Sequence, residues 1–393
     1  MNNNCAGKKV LIFGAGGRQA LPVCKGFFEI GCIVITYCQS RFDTGYLTRY
    51  KSKNILYNEK NSEGLSFFDF GKKIILEGQY DLVVPLGDKS ASYLAEHKAE
   101  LEELCHIAVN DLQIFNKAID KAKTMKICEQ NRIPAPKTLI GNEILPGVEA
   151  GLISFPVVVK PRTGVGSIGF QIISSIDKLR DYITNYDNKN GPLLVQEYIE
   201  QGKHPQYRCD LFRDRDGKFR MVMVGKVTRW YPLDGGSGIF AYTVHDKKIA
   251  NDCMRLLDAL NWNGYANIDL VYDIKSNVAK ILEINTRTGA TIKLDYLAGA
   301  NVSKLIVENE LGLPVTDMVE YPDNIRLTCL LPDLLWFVKS IDRFKTEPSW
   351  FDRKGVKDAI FDWSDPLPTF GFLATRVMSF RSASKKRQRV NGG

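Results

Sequence analysis

The chain has 393 residues, of which 44% are hydrophobic and 25% are charged, and its formal net charge is +8. This balance is that of an ordinary globular protein and excludes a disordered or fibrous one, and the length suggests two or three structural units. The longest apolar runs have the length of strands, far below the roughly 20 residues of a membrane-spanning helix.

The cysteines and the first residues indicate where the protein works. Nine cysteines are scattered along the chain without a CxxC pair, which favours free thiols in a reducing compartment over a disulfide framework or a zinc site. The polar start, Met1-Asn2-Asn3-Asn4, lacks the apolar core of a signal peptide. We therefore expect a cytoplasmic protein.

Basic residues are concentrated at the end of the sequence. Residues 376–393 hold six basic residues and no acidic one, so the remainder of the chain is nearly neutral. Such a tail suits nucleic acid or an anionic surface, but a solvated terminus is the simpler interpretation. We therefore expect no nucleic-acid partner. We also expect no membrane span, because the apolar runs are too short for one.

The first hundred or so residues alternate strands and helices. An apolar strand at 8–13 runs into the turn Gly14-Ala15-Gly16-Gly17-Arg18, a helical stretch and a second strand at 32–37. Another strand at 80–85 precedes Gly87-Asp88 and a further helix. This order predicts a doubly wound, Rossmann-like α/β domain.

The turn after the first strand is similar to a dinucleotide-binding loop but departs from it twice. Gln19 replaces the third glycine, and the second strand ends in Tyr37-Cys38-Gln39-Ser40 without an acidic residue for a ribose hydroxyl. A nicotinamide-dependent oxidoreductase is therefore not expected. The turn still presents backbone N–H groups at a helix N-terminus, which suits either an anionic substrate group or a tight structural turn.

The middle of the chain changes character. A long helix is predicted from about Asn116 to Asn131, and it ends before Pro134 and Pro136, which cannot continue it. From about residue 155 to 285, β-rich segments with hairpin-like turns alternate with helices, which is typical of an α+β fold.

Lys160 follows the apolar strand 156–159 and precedes a loop with glycines at 164, 166 and 169. Because burying an unpaired charge is costly, a lysine at this point indicates an anionic partner, and phosphate is the natural one. The glycines allow backbone N–H groups to approach phosphate oxygens, although no Lys-Ser/Thr follows them as in a Walker loop. The alternative is a plain hairpin whose lysine reaches into water.

Two strands, 264–273 and 279–287, are predicted to form a hairpin closed by their facing ends. In that register Asp269 lies opposite Glu283. Like charges directly opposite each other destabilise a sheet, and a hard divalent cation with oxygen ligands would remove the repulsion. A register slipped by one residue would instead send Glu283 to the other face.

Asn285 and Arg287 extend this predicted site. Asn285 projects from the same face as Glu283 because strand side chains alternate with period two. Mg²⁺, or Mn²⁺ in its place, suits such a site because it binds through one or two carboxylates together with substrate phosphates. Arg287 would then lie beside the metal, where it can hold phosphate or carboxylate through two contacts.

Taken in order, these motifs resemble those of ATP-grasp enzymes over about residues 8–315, closest to the carbamoyl-phosphate-synthase-like and amino-acid-ligase branch. The matching segments are the entry helix around Asp120-Lys121-Ala122-Lys123-Thr124, the phosphate-lysine strand Phe155–Pro161, the lid Gly164–Gly169, the adenine hinge Gln196-Glu197-Tyr198-Ile199 and the metal motif Glu283-Ile284-Asn285-Thr286-Arg287. Asp269 matches the earlier acidic ligand of the family. One departure is Gln206, which stands where the family has a glutamate shortly after the hinge.

The resemblance implies roles for individual residues. ATP binding falls on Lys121, Lys160, Gly164, Val165, Gly166, Ser167, Gly169, Glu197, Tyr198, Ile199 and His204, although a surface histidine is the simpler interpretation of the last. The metal would be held by Asp269, Glu283 and Asn285. Arg287 would stabilise an acyl phosphate, and Lys226 and Arg229 are candidates for binding the substrate's carboxylate or phosphate, with exposed charges on a hairpin as the alternative.

The resemblance also implies a domain order and a function. We expect a Rossmann-like pre-ATP-grasp domain at 1–110, a small ATP-grasp subdomain at 111–190, a large subdomain with the metal site at 191–320 and a C-terminal segment at 321–393 that ends in a basic, disordered tail. The expected activity is ATP- and Mg²⁺-dependent ligation of a small carboxylate to an amine. The alternatives are phosphorylation of a small carboxylate or carbamate, as in carbamoyl phosphate synthases, and a non-catalytic ATP-binding module. A homodimer is compatible with the sequence.

Overall fold

Three sheets organise the computed structural model, which describes residues 4–60, 62–164, 169–200, 206–233 and 237–375. The first is parallel, as expected for the Rossmann-like domain, and the other two belong to the α+β part of the chain. The predicted fold class, α/β followed by α+β, is therefore confirmed.

The first sheet contains the N-terminal strands β1 (Lys9–Phe13), β2 (Ile33–Cys38), β3 (Lys53–Leu56), β4 (Leu82–Pro85) and β5 (His106–Ile107). The helices α1 (Ala20–Glu29), α2 (Thr44–Leu47), α3 (Phe67–Glu77), α4 (Asp88–Glu96) and α5 (Lys98–Leu101) alternate with them. The strands run parallel in the order β3-β2-β1-β4-β5. Four consecutive apolar side chains of β1, from Val10 to Phe13, are fully buried, because helices cover both faces of the sheet.

Gln19 has a structural task that a third glycine would not perform. Its side-chain Nε2 donates a hydrogen bond to the carbonyl oxygen of Leu86 at 2.6 Å. This bond ties the loop after β1 to the loop after β4, which are neighbours at the centre of the sheet.

The predicted long helix before the prolines is wrong, because two helices occupy the segment, α6 (Leu112–Ile119) and α7 (Lys121–Gln130). Asp120 between them has an extended conformation and caps α7, since its Oδ1 accepts hydrogen bonds from the backbone N–H groups of Ala122 at 3.0 Å and Lys123 at 3.4 Å. A side chain that competes for backbone N–H groups favours a new helix start over a continuous helix.

The second sheet is antiparallel and has the strand order β6-β9-β7-β8. Its strands are β6 (Thr138–Ile140), β7 (Val157–Pro161), β8 (Gln171–Ile173) and β9 (Leu193–Glu197), and its helices are α8 (Ile144–Glu149) and α9 (Ile176–Thr184). Apolar side chains from the strands and both helices form one core beneath the sheet.

The third sheet has the order β14-β13-β10-β11-β12-β15-β16. Its strands are β10 (Gln206–Arg213), β11 (Phe219–Tyr231), β12 (Ser237–Val244), β13 (Gly264–Asp273), β14 (Val278–Asn285), β15 (Arg326–Thr328) and β16 (Lys357–Asp358). The helices of this part are α10 (Lys247–Leu260), α11 (Ile292–Leu297), α12 (Val302–Glu310) and α13 (Leu330–Lys339). Strands β15 and β16 lie beyond residue 320, so the C-terminal segment completes this sheet. The division of the chain into four parts stays a prediction.

The structure also bears on the expected free thiols and on the expectation of no membrane span. All nine cysteines are buried and free, as the sequence predicted. In the part of the chain that the structure describes, no helix is long and apolar enough to cross a membrane.

Asp333 attaches the C-terminal segment to the third sheet. It is fully buried and accepts hydrogen bonds from Arg229 Nε at 2.8 Å, Arg353 Nη1 at 2.9 Å and Thr328 Oγ1 at 3.0 Å. One carboxylate therefore balances two guanidinium groups inside the protein.

We predict that Asp333→Asn lowers the free energy of unfolding by about 3 kcal/mol or more, because it leaves a buried guanidinium without its counter-charge. Equilibrium urea unfolding would measure the loss. The matched control is Asp317→Asn, which removes an exposed carboxylate 3.5 Å from Arg220 and should leave the free energy of unfolding nearly unchanged, because exposed ion pairs contribute little. Equal losses for the two variants would contradict this account of the C-terminal attachment.

Candidate functional site

The hairpin of β13 and β14 brings Asp269 directly opposite Glu283, and Asn267 opposite Asn285. Asn285 Nδ2 donates to Asp269 Oδ2 at 2.9 Å and to Asn267 Oδ1 at 2.9 Å. The predicted facing of the two carboxylates is therefore confirmed, and the amide beside them is held in one orientation.

The closing pair of the hairpin and a bulge in it differ from what the sequence predicted. It closes at Asp273 and Val278, so the predicted closing pair with Ala279 is wrong by one residue. A β-bulge between Asp269 and Leu270 inserts one extra residue into β14 and restores the predicted register at the site.

Two lysines from the neighbouring elements meet Glu283. Lys121 Nζ lies 3.1 Å from Glu283 Oε2 and donates to the carbonyl oxygen of Gly164 at 3.0 Å. Burial opposes ionisation of Glu283, but the charges of Lys121 and Lys160 outweigh it and lower the pKa of this carboxyl. Burial, together with repulsion from Lys121, lowers the pKa of Lys160 to about 8. Both predicted phosphate lysines thus lie beside the predicted metal motif.

Asp269 is compensated less than Glu283, because the hydrogen bond from Asn285 and the charge of Arg287 do not outweigh the effects that raise its pKa. Burial, followed by repulsion from Glu283, raises the pKa of Asp269 to about 7. Two carboxyl groups whose charges repel form a donor set that fits a hard divalent cation. Asn285 lies beside them, with its Nδ2 on Asp269 and its Oδ1 on Arg287. Among the described residues no group of three or more His, Cys, Asp or Glu side chains is placed to hold a metal, so a cation here would take further oxygen ligands from a substrate phosphate, as Mg²⁺ commonly does.

A bidentate ion pair fixes the start of α7, where Lys121 lies. Arg162 donates from Nε to Asp120 Oδ1 at 3.1 Å and from Nη2 to Asp120 Oδ2 at 2.5 Å. The backbone N–H of Lys121 also donates to the carbonyl oxygen of Arg162 at 2.9 Å. This contact joins α7 to the end of β7, and nothing in the sequence indicated it, since Arg162 lies between the phosphate-lysine strand and the lid.

The predicted adenine hinge begins at the end of β9. Glu197 Oε1 accepts from the backbone N–H of Lys137 at 3.0 Å and from Lys280 Nζ at 2.6 Å. Tyr198 and Ile199 continue beyond the strand, and the side chain of Tyr198 is exposed. Glu197 therefore links the second sheet to the metal hairpin, and its role in binding adenine stays a prediction.

Arg287 connects the hairpin to the N-terminal sheet. Its Nε donates to Asp88 Oδ2 at 3.1 Å and its Nη2 donates to Asn285 Oδ1 at 3.3 Å. Asp88 is the first residue of α4, directly after the end of β4. Sequence analysis noted both residues but had no signal that they meet, because 199 positions separate them.

A buried charged cluster lies next to the carboxylate pair. Arg208 Nη2 contacts Asp210 and lies 2.6 Å from Asp295 Oδ1, and Asn267 Nδ2 donates to Asp210 Oδ1 at 2.7 Å. Burial and the neighbouring Asp210 raise the pKa of Asp295 well above its ordinary range. Since Asn267 donates its Nδ2 to Asp210, its amide oxygen is turned toward Asn285, from which it accepts. No motif in the sequence pointed to this cluster.

Lys226 is not brought to the site. It pairs with Tyr207, which pairs with Leu270, whereas Asp269 pairs with Arg208. Paired residues of a sheet share a face and successive residues alternate, so Lys226 lies on the face opposite the carboxylates.

The contacts of Arg229 also lie outside the candidate site. Its side chain is 1% exposed, forms the ion pair with Asp333, and has its guanidinium carbon 3.8 Å from the ring centroid of Phe240. These contacts favour a structural role, so we leave Arg229 and Lys226 out of the proposed catalytic set.

Four predicted ATP-binding residues lie outside the described residues: Val165, Gly166, Ser167 and His204. The structure does describe Gly164 and Gly169, the two ends of the predicted lid. Their φ angles are +120° and +75°, a region that favours glycine.

A family model described as "ATP-grasp in the biosynthetic pathway with Ter operon" matches residues 189–330, which contain the hinge, the hairpin and Arg287. This stretch of the chain is therefore similar to ATP-grasp enzymes, in agreement with the resemblance drawn from the order of the motifs.

Two named ligases or synthases are similar to this chain. A D-aspartate ligase of Enterococcus faecium is 26% identical over 249 residues, which are 58% of this chain and 58% of the relative. The large chain of carbamoyl phosphate synthase of Clostridium acetobutylicum is 24% identical over 374 residues, which are 88% of this chain and 34% of the relative. The chain thus spans less than two thirds of the length of either relative.

Solved structures share the fold. The L-amino acid ligase of Bacillus licheniformis has a TM-score of 0.59 at 17% identity, with 79% of this chain and 75% of that chain covered. The biotin carboxylase of Campylobacter jejuni has a TM-score of 0.66 at 15% identity, with 83% and 75% covered.

The raised pKa of Asp269 predicts a pH dependence of stability in metal-free buffer. Between about pH 4 and pH 7 the folded protein keeps a proton that the unfolded chain has released, so the free energy of unfolding should fall as the pH rises, by up to about 1.4 kcal/mol per pH unit. Asp269→Asn should remove this loss. Urea unfolding of wild type and Asp269→Asn in EDTA, repeated across this pH range, would measure the difference. The same pH dependence of the free energy of unfolding in both proteins would contradict the prediction.

Proposed function

We propose that this protein is an ATP-grasp ligase that depends on ATP and Mg²⁺, activates a small carboxylate as an acyl phosphate and joins it to an amine. The observation that carries the proposal is the arrangement around Glu283, which has Lys121 on one side and, two and four residues further along the chain, Asn285 and Arg287. The names of two similar proteins, a D-aspartate ligase and an L-amino acid ligase, support carboxylate–amine ligation.

ATP would lie between the second and third sheets. Lys121 and Lys160 would neutralise its phosphates, since both ammonium groups already act on Glu283. Gly164 and Gly169 would carry the lid over the phosphates, and the backbone after Glu197 would meet the adenine edge. In this arrangement the protein mainly positions the reactants and offsets charge, as phosphoryl transfer requires.

Asp269, Glu283 and Asn285 would hold the divalent cation. When bound, Mg²⁺ neutralises charge on the transferred phosphoryl group. The protein's own contribution is to keep the two acids on one face and to orient Asn285 through Asn267. Burial and the repulsion from Glu283 raise the pKa of Asp269, and a cation would offset both.

The chemistry has two displacement steps. A carboxylate oxygen of the substrate attacks the γ-phosphorus of ATP, the bond to the bridging oxygen of ADP breaks, and an acyl phosphate forms. The amine nitrogen then attacks the acyl carbon, the carbon–oxygen bond breaks, inorganic phosphate leaves, and the nitrogen loses a proton. Arg287 would stabilise the negative charge of the acyl phosphate.

The non-catalytic alternative is less well supported, because such modules commonly lose their charged ligands, whereas here Lys121, Glu283 and Arg287 occur in contacts that connect all three sheets. A cytoplasmic location remains a prediction that the nine free, buried thiols suit. The homodimer also remains a prediction.

The test is ATP-dependent release of phosphate, with mass spectrometry of the products, in mixtures of Mg²⁺, ATP, pooled small acids and pooled amines. We predict that Glu283→Ala lowers phosphate release at least about 100-fold, because it removes a ligand of the cation that stabilises the transferred charge. The matched control is Glu63→Ala, which removes an exposed acid paired with Lys73 and should leave release within about twofold.

Three results separate the possibilities. Condensation products that form with wild type and not with Glu283→Ala support the ligase. Phosphate release without a condensation product would favour phosphorylation of a small carboxylate or carbamate. Identical release by wild type and variant in every mixture would overturn the proposal.

A further inference from the structure

Exposed apolar side chains are concentrated in the C-terminal segment. Of the 24 large hydrophobic side chains that are exposed among the described residues, eleven lie between Leu330 and Leu373. Single exposed hydrophobic residues are ordinary, but such a concentration marks a surface that contacts an apolar partner. The residues proposed for the ATP site all precede this segment, so ATP binding does not explain it.

Residues 367–375 form a helix that is attached to the body of the protein by one face. A Cβ on Gly371 would lie 2.5 Å from the carbonyl oxygen of Phe42, so the helix packs directly against the loop after β2. Phe372 packs against the core that contains Trp336. The opposite face of the helix is therefore held at the surface.

That outward face is apolar as well. Leu367, Phe370 and Leu373 are 58%, 66% and 40% exposed, and Trp363, shortly before the helix, is 88% exposed. The nine residues of the helix include no charged side chain. A surface helix in water normally presents charged or polar residues outward, so the outward face of this helix has the composition of a face that is covered.

The sequence that follows the helix indicates what covers it. Residues 376–393 hold six basic residues and no acidic one, and four of the six lie within residues 385–389. The partner must therefore offer negative charge beside an apolar region. A second copy of the chain would bring a second basic tail to the same place, and the two tails would repel each other.

An anionic lipid bilayer matches both features. Its acyl chains accept leucine and phenylalanine side chains, and its headgroups attract a basic segment next to them. Nucleic acid would also attract the basic residues, but its surface has no apolar layer for the leucine side chains.

We propose that the C-terminal segment docks this protein on an anionic lipid surface. Leu367, Phe370 and Leu373 insert among the lipids, and the basic residues of the tail lie at the headgroups. The chain lies on the bilayer and does not cross it, since no helix in the described part of the chain could span one. Three apolar side chains form a small anchor, so stable docking requires the basic tail as a second signal.

The test is co-sedimentation of the full chain with vesicles of phosphatidylcholine alone and with vesicles that also contain about 30% phosphatidylglycerol. ATP and Mg²⁺ are left out, so the result does not depend on ligase activity. We expect wild type to bind the anionic vesicles at least about 10-fold more tightly than the neutral ones. Raising NaCl from about 0.1 M to about 0.5 M should weaken this binding, because salt screens the attraction of the tail.

Phe370→Asp should weaken binding to anionic vesicles at least about 10-fold, because it removes an inserted ring and adds a negative charge next to the headgroups. The matched control is Met318→Asp, which changes another exposed apolar residue, 53% exposed, and should bind within about twofold of wild type. The neighbouring Val319 donates its backbone N–H to the carbonyl oxygen of Arg220, near the start of β11, whereas Tyr231 at the end of β11 packs on the same core as the helix. Thermal unfolding would verify that both variants are folded.

A second variant tests the tail by replacing four basic residues with glutamine: Lys385, Lys386, Arg387 and Arg389. It should also weaken binding to anionic vesicles at least about 10-fold. Its matched control has the same net charge and replaces four exposed lysines outside the C-terminal segment: Lys9, Lys53, Lys60 and Lys126. This control should bind within about twofold of wild type.

Binding that requires anionic lipid and is weakened in both variants, but not in their controls, would uphold the proposal. Equal binding to neutral and anionic vesicles, or binding to neither, would overturn it. Loss of binding in the tail variant alone would also overturn it, because the outward face of the helix would then take no part. Sedimentation velocity tests the second copy: a concentration-dependent dimer that Phe370→Asp abolishes, together with no vesicle binding, would assign the face to self-association and overturn the lipid surface.

Discussion

The structure depends on one electrostatic constraint, the placement of two acids directly opposite each other in a hairpin. Asp269 and Glu283 repel at short range, and the pKa of Asp269 is raised to about 7. Such a pair lowers stability, so its presence in a buried hairpin has to be offset by other charges. Lys121 and Lys160 supply part of the offset through Glu283, and a divalent cation with substrate phosphates would supply the rest.

The elements around the pair serve to bring these charges together. Asp120 separates two helices, caps the second and forms an ion pair with Arg162. These contacts fix the start of α7, where Lys121 lies against Glu283. Glu197 ties the second sheet to the hairpin through Lys280. The three sheets thus converge on the carboxylates through ion pairs, with the apolar cores lying beneath each sheet.

Much of the fold and half of the site could be predicted from the sequence, and the failures have physical causes. The facing of Asp269 and Glu283 followed from strand alternation, although a bulge was needed to produce it. The break at Asp120 was missed because capping competes with helix continuation over a single residue. The contact of Arg287 with Asp88 could not be foreseen, since the sequence does not record which loops meet across 199 positions. Lys226 was misplaced because the strand register that decides its face is set by long-range pairing.

The central claim is that the Asp269–Glu283 pair is the metal site of an ATP-binding centre. The most direct measurement is anomalous diffraction from crystals grown with Mn²⁺ and a non-hydrolysable ATP analogue. We expect an anomalous peak within about 2.5 Å of oxygen atoms from both carboxylates, with the phosphates of the analogue extending toward Lys121 and Lys160. A bound analogue whose metal contacts neither Asp269 nor Glu283 would contradict it.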